Sequence, residues 1–174
     1  MHPEDVVEQL KIRARFLQKQ IERLEPPAVK RARTLPELRS LQEDALRENV
    51  QRRHCLAILA RELGLNGWSH LTELWTSSEA SEWGKLFYPA ACGGHWNMWS
   101  SSLEEARAIR AEHGGFLLPY RHQMLIVERA FIEDLGLDSE HPDWARIGRN
   151  WLEPGDLAAR HRLLKAMLCA RITS

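Results

Sequence analysis

The fold is decided by the stretch from residue 114 to residue 127, which reads GGFLLPYRHQMLIV. Two short apolar runs, Phe116–Leu118 and Gln123–Val127, flank a polar segment, and this pattern predicts two strands joined by a turn. Residues 124–127 are apolar at every position, which is typical of a strand buried on both faces. We therefore expect Gln123–Val127 to lie at the centre of a small sheet.

The residues on either side of this stretch extend the pattern. Ser102 and Glu105 have the spacing of a capping box, which predicts a helix that runs from there to His113. Further strands are predicted at Lys85–Tyr88 and His95–Trp99, and helices at 130–135, 142–149 and 154–171. The order β-β-α-β-β followed by helices predicts an α+β domain over residues 79–174, with a small, mostly antiparallel sheet and helices.

The N-terminal part has a different periodicity. Apolar residues recur at alternating steps of three and four, as in a heptad seam, at Val7, Leu10, Ala14, Leu17, Ile21 and Leu24. Pro26-Pro27 ends this helix, and the absence of Gly and Pro from Glu37 to Leu63 predicts one long second helix, with a break near Asn49 as the alternative. Residues 1–78 are thus predicted to form a long-helix hairpin whose seam packs on a helix of the same chain or of a second copy.

Composition narrows the classes of function. The chain has 174 residues and equal numbers of basic and acidic side chains, 24 of each, which argues against a general electrostatic attraction to nucleic acid or membranes. Three widely spaced cysteines do not suggest a disulfide framework. The first residues are polar and acidic, which is unlike a signal peptide. No apolar run is long enough to span a bilayer, so we expect a cytoplasmic protein with no membrane partner. No cofactor motif is present, and we expect no cofactor.

The best candidate ligand site combines two predicted elements. If the strand at 95–99 lies beside the segment at 120–123, aromatic and polar side chains share one surface, as in small-ligand pockets. Arg121 can then hold a carboxylate or phosphate with two parallel hydrogen bonds. The alternative is a solvated hairpin turn with the tryptophans in the core. The candidate ligand-binding residues are His95, Trp96, Trp99, Tyr120, Arg121, His122 and Gln123.

Two weaker candidates accompany this site. Cys92 and His95 have a spacing that suits either a zinc ligand pair or a nucleophile with its base, whereas a small buried cysteine is the packing alternative. Residues 11–33 hold eight basic and two acidic side chains, a local net charge of +6, which can bind nucleic acid or form a solvated helix face. The candidate phosphate contacts are Lys11, Arg15, Lys19, Lys30, Arg31 and Arg33.

Two segments resemble known sequences. Residues 60–71, ARELGLNGWSHL, resemble the short helical module ARxLGxxxWxxL that occurs at the ends of some bacterial glyoxalase-related proteins. The stretches GGFLLPYRHQ (114–123), LGLD (135–138) and PDW (142–144) are similar to an uncharacterised bacterial protein family. The resemblance implies a bacterial origin and brings no activity with it, because the metal-binding Glu and His set of glyoxalases has no counterpart here.

The sequence contains no catalytic signature, and no catalytic residue is assigned. We therefore predict a non-catalytic cytoplasmic binding or regulatory protein that assembles through its N-terminal helices, as a homodimer or with a helical partner. A small-ligand-binding protein or enzyme that uses the Trp, Tyr, His and Arg surface is the first alternative. Nucleic-acid binding through residues 11–33 is the second.

Overall fold

The structure, a computed structural model, describes residues 4–76 and 83–173. The chain forms two compact units: the first comprises the residues up to Glu62 together with Asn66–Leu71, and the second comprises Leu63–Leu65 with the residues from Thr72 onward. The predicted boundary at residue 78 lies outside the described residues. Helices and one small antiparallel sheet make up the described chain, so it belongs to the α+β class, as predicted.

The elements follow one another in a simple order. The N-terminal helices are α1 (Glu4–Glu22), α2 (Pro26–Ala32), α3 (Pro36–Arg39), α4 (Glu43–Asn49), α5 (Arg52–Glu62) and α6 (Trp68–Thr76). A 3₁₀ helix at Ala90–Gly94 then precedes β1 (Met98–Ser100), α7 (Leu103–His113), β2 (Phe116–Tyr120) and β3 (Gln123–Val127). The chain continues through α8 (Arg129–Asp134), α9 (Pro142–Arg146) and α10 (Leu157–Thr173).

The apolar seam of α1 is buried inside the first unit. Its innermost residues are at most 2% exposed, and they are Val6, Leu10, Ala14, Leu17 and Ile21. Val6 takes the place predicted for Val7. Helices α2, α4 and especially α5 pack against α1. The partner that the seam requires is therefore in the same chain.

The single long helix predicted over Glu37–Leu63 is wrong, because three shorter helices occupy this range. The backbone at Val50 is extended, with ψ at 127°, and this residue ends α4. The Gln51 amide then donates to Nδ1 of His54 at 3.1 Å, so a side chain satisfies the amide before α5 begins. Helix α1 ends at Glu22, before the two prolines, and Pro26 begins the helix α2, which was not predicted and in whose first turn proline loses no intrahelical hydrogen bond.

The sheet has the order β1-β3-β2 with both pairs antiparallel, and β3 is the central strand, as its apolar run predicts. Leu117 and Met98 both pair with Ile126, so these side chains share the face that α7 covers. Leu118 and Trp99 both pair with Leu125 on the opposite face. Ser102 caps the start of α7, which ends at His113, as predicted, and the Ser102 hydroxyl accepts from the Glu105 amide.

Two predicted strands differ in the structure. The segment Lys85–Tyr88 is a turn, because Gly84 adopts a φ of 54° and the Leu86 amide bonds back to the carbonyl of Trp83. Leu86 and Phe87 are buried, and Phe87 belongs to a cluster of tilted and edge-on rings with centroids 4.6 to 5.8 Å apart, formed by Trp83, Phe87, Trp144 and Trp151. The strand predicted at His95–Trp99 starts later, at Met98. Within the described chain, no helix is both long and apolar enough to cross a membrane.

A buried carboxylate links the last two helices. Asp143 in α9 is 2% exposed, and both of its oxygens accept from Arg162 of α10 at 2.7 Å. Arg146 donates to the same group at 3.1 Å, and His141 lies 3.7 Å away. The hydrogen bonds from Arg162 hold the pKa of Asp143 below its usual value. This network fixes α9 on α10.

Candidate functional site

Three rings form an exposed cluster, the aromatic surface, which comprises Tyr88, Trp99 and Tyr120. Trp99 lies on β1 and Tyr120 ends β2, so β3 separates their strands. Their rings nevertheless contact each other edge-on, with centroids 5.5 Å apart. Tyr88 completes the triangle at 5.4 Å from Trp99 and 5.5 Å from Tyr120. All three residues are partly exposed, so the cluster offers ring faces and edges to a ligand.

Arg121 borders the aromatic surface in an unusual conformation. It is the first residue of the two-residue loop between β2 and β3, and its φ is 51°, a region that favours glycine. Its amide donates to the carbonyl of Gly84 at 2.9 Å, which holds the loop in place. Its guanidinium lies 5.7 Å from the centre of the Tyr120 ring, and no carboxylate among the described residues pairs with it.

The other predicted ligand residues lie outside the aromatic surface. His95 follows the 3₁₀ helix, and its Nε2 lies 2.7 Å from Oδ2 of Asp134. Its ring contacts Phe131, which in turn contacts Tyr88, so His95 is connected to the aromatic surface through one residue. Trp96 projects outward and is 91% exposed. His122 and Gln123 are exposed at the hairpin turn.

Cys92 and His95 do not form a catalytic pair in this arrangement. The Cys92 thiol is completely buried and lies 3.9 Å from the carbonyl oxygen of Phe131. Burial raises the pKa of Cys92 to about 11, which keeps the group protonated at neutral pH. The imidazole of His95 is paired with Asp134 instead. In the part of the chain that the structure describes, no three His, Cys, Asp or Glu side chains are grouped to hold a metal ion.

Half of the candidate phosphate contacts are engaged within the chain. Arg31 makes a two-pronged ion pair with Glu62, with bonds of 2.8 and 2.7 Å. Arg33 donates to two backbone carbonyls, and Lys11 lies 3.6 Å from Glu8. Arg15, Lys19 and Lys30 remain exposed, and no ion pair joins them to another described residue.

The outward face of α1 carries a feature that sequence reasoning missed. Ile12 and Phe16 are 42% and 64% exposed, although both are large and apolar. With 3.6 residues per turn, they lie on one line with Glu8 before them and Lys19 and Arg23 after them. We call this line the outer stripe of α1. The sequence did not predict this stripe, because two apolar residues do not make a periodic pattern.

The first unit also contains a cavity of about 660 Å³, which could not be predicted from the sequence. It lies where α3, the loops around α4, and α5 meet. Leucine and alanine side chains line it together with charged and amide groups, and the lining residues are Glu37, Leu38, Leu41, Asn49, Gln51, Arg53, His54 and Ala57. We call it the helical cavity.

Comparisons of the chain with protein-family models, curated proteins and solved structures found no match, so the resemblances to a bacterial family and to the helical module remain predictions.

Proposed function

We propose that this protein is a non-catalytic binding protein that acts as a homodimer through its N-terminal helix α1. The predicted seam no longer supports dimerisation, because the same chain covers it. The outer stripe supports it instead. A soluble helix that keeps Ile12 and Phe16 exposed, one turn apart, offers the apolar centre of a helix-helix interface.

The order of residues along the outer stripe is what carries this proposal. The stripe runs from acidic Glu8 through Ile12 and Phe16 to basic Lys19. When two such helices cross antiparallel with a two-fold axis at residue 14, Ile12 of each copy meets Phe16 of the other. Glu8 then comes within one residue of Lys19 of the second copy. A surface that complements itself in this way is what an isologous dimer requires.

Sedimentation over a concentration series tests the dimer directly. Swapping one charge, by Glu8→Lys or Lys19→Glu, is expected to weaken association at least about fivefold, because two symmetric pairs worth about 0.5 kcal/mol each are lost. The double variant is expected to recover most of the loss. Phe16→Glu removes the apolar centre and gives a monomer, whereas Arg13→Glu, on the side of α1 away from the stripe, is the control. A monomeric wild-type chain at high concentration, or a double variant as weak as each single variant, contradicts the proposal.

One further variant distinguishes nucleic-acid binding by α1 from dimerisation through α1. Arg15 is exposed at the flank of the stripe, close to its own counterpart across the proposed two-fold axis. Arg15→Gln is expected to leave the dimer intact, whereas loss of a phosphate contact weakens nucleic-acid binding and reduces its salt dependence. Retention on heparin at low salt that falls in this variant favours nucleic acid as the partner.

A second candidate function is binding of a small ring-containing anion at the aromatic surface. The observation that favours it is Arg121, which holds a positive φ beside Tyr120 and keeps a guanidinium without a carboxylate partner among the described residues. A non-glycine residue in this region costs free energy, and such strain concentrates at binding sites. The rings of Trp99 and Tyr120 would hold the flat part of the ligand, and Arg121 its phosphate or carboxylate.

Matched ligands test this second function. Adenosine and adenosine monophosphate differ only in the anionic group, so the nucleotide is expected to bind more tightly, by about tenfold for one charge-assisted hydrogen bond. Arg121→Gln is expected to remove that preference, and Trp99→Ala to weaken both ligands. Equal affinities for the two ligands in the wild-type chain, or an unchanged preference in the Arg121 variant, refute the assignment.

The cytoplasm remains the proposed location. Cys55 and Cys92 are completely buried as thiols, and burial raises the pKa of each to about 11. All three cysteines, including Cys169, are free thiols, and disulfides are rare in reducing compartments.

A further inference from the structure

The helical cavity has the size and the mixed lining of a small-molecule site. Its volume of about 660 Å³ lies within the range of known ligand pockets. Leu38, Leu41 and Ala57 provide apolar surface, and the remaining lining residues are charged or polar. The cavity lies in the first unit, and its lining shares no residue with the aromatic surface or with the outer stripe.

Two opposite charges border the cavity without neutralising each other. Glu37 lies in the first turn of α3 and Arg53 in the first turn of α5, and no ion pair joins them to each other or to another described residue. Both act electrostatically on the imidazole of His54, which places one charge of each sign near the same ring. A ligand with both a positive and a negative group can satisfy the two at once.

His54 adds a directed hydrogen-bond donor. The residue is 8% exposed, and its Nδ1 accepts from the Gln51 amide at 3.1 Å. Burial lowers the pKa of His54, so the neutral ring carries its proton on Nε2. No described residue accepts a hydrogen bond from Nε2, so this N–H is available for an oxygen atom in the cavity.

The first turn of α5 favours an anion at the same place. Arg52 and Arg53 stand in this turn, where the helix dipole disfavours positive charge, and no acidic residue accompanies them. A bound carboxylate supplies the negative charge that the helix dipole favours at this end and that the two arginines attract. Local rules are commonly broken in this way at functional sites.

We propose that the helical cavity binds a small zwitterion with an apolar side chain, in the class of free α-amino acids and short peptides. Arg53 and Nε2–H of His54 hold the carboxylate, and Glu37 holds the ammonium group. The apolar side chain packs on Leu38 and Ala57. This site goes beyond the dimer and the aromatic surface and depends on neither.

Calorimetric titration of the full chain tests the ligand class with four probes. Leucine and leucyl-leucine carry both charges, N-acetylleucine lacks the ammonium group, and leucinamide lacks the carboxylate. We expect at least one zwitterion to bind, and each blocked form of leucine to bind at least about tenfold more weakly than that zwitterion. The comparison of leucine with leucyl-leucine shows whether the cavity takes an amino acid or a peptide. Equal binding of the blocked forms, or no heat from either zwitterion at about 10 mM, overturns the proposal.

Paired variants locate the site. Arg53→Gln is expected to weaken binding of the zwitterion about tenfold, whereas Arg52→Gln, in the same helical turn but outside the cavity lining, changes it less than about twofold. Glu37→Gln and Glu43→Gln form the second pair, since both stand in the first turn of a helix and only Glu37 lines the cavity. Equal effects within either pair refute the site, because they show a general charge effect instead. Circular dichroism of each variant confirms that the helices are retained.

Discussion

Replacing Asp143 by asparagine removes a negative charge from a position that is 2% exposed. The wild-type carboxylate accepts two hydrogen bonds of 2.7 Å from Arg162 and one of 3.1 Å from Arg146. Hydrogen bonds to charged groups contribute about 1.5–3 kcal/mol each when the pair is shielded from water. Here about half of each arginine side chain is exposed, so solvent screens the attraction. We expect Asp143→Asn to lower the free energy of unfolding by about 2 kcal/mol, less than the loss of a partner from a fully buried pair.

The pH dependence gives this prediction a second, independent measurement. The folded state lowers the pKa of Asp143, so its contribution is complete above the unfolded value of about 3.9 and is lost as the pH falls through the lower folded pKa. The difference in stability between wild type and Asp143→Asn is therefore expected to be largest at neutral pH and to shrink below about pH 4.

Urea unfolding followed by tryptophan fluorescence measures both effects, because Trp144 and Trp151 lie in the same unit as Asp143. Asp44→Asn is the matched control, since Asp44 is exposed in the first turn of α4 and has no ion pair with a described residue. Its loss should cost no more than about 0.5 kcal/mol. A wild-type stability within about 0.5 kcal/mol of Asp143→Asn at neutral pH, or a difference as large at pH 3 as at neutral pH, refutes the reasoning.

Three further predictions address packing. Gly64 has a φ of 87°, and an added Cβ would lie 2.8 Å from the backbone of Lys85, so Gly64→Ala is expected to destabilise the fold by about 2 kcal/mol in urea unfolding, whereas Gly67→Ala, with open space around it, has little effect. Trp151 is completely buried, and its indole N–H has no hydrogen-bond partner among the described residues. Trp151→Phe is therefore expected to cost less than about 1.5 kcal/mol in the same assay, against about 3–5 kcal/mol for Trp151→Ala. The buried Cys92 thiol should react with iodoacetamide only after unfolding, unlike the partly exposed Cys169, and rapid alkylation of Cys92 in the native chain, read by peptide mass spectrometry, contradicts the structure.

The sequence predicted the parts of the fold that periodicity or a recognisable capping pattern indicates, and it missed a helix break and a turn that no such pattern indicates. The apolar run at residues 124–127 predicted the central strand, and the capping residue Ser102 predicted the start of α7. The break at Val50 between α4 and α5 agrees with the alternative break near Asn49, whereas the break between α3 and α4 contains no glycine or proline and was not predicted. The prediction of a strand at 85–88 was wrong. Only Leu86 and Phe87 are buried there, and so short an apolar pair does not distinguish a strand from the turn that Gly84 begins.

The candidate sites show the same division. Trp99, Tyr120 and Arg121 were predicted from residue type, and the structure brings their side chains together across β3. The helical cavity could not be predicted, since its lining comes from segments that acquire their proximity only when the predicted long helix is broken. The heptad seam correctly included Leu17 and left out Phe16, but the large exposure of Phe16 depends on packing and could not be predicted from the sequence.

The way in which β2 ends the sheet affects how the protein behaves at high concentration. The amide of Leu117 donates to the carbonyl of Arg149, and the carbonyl of Leu117 accepts from the amide of Trp151. The chain therefore covers the outer side of β2 with its own backbone, in a short parallel bridge. Only β1, three residues long, borders the described sheet on the other side. A strand this short is a poor template for adding a foreign strand, so the sheet resists edge-to-edge aggregation by its dimensions alone.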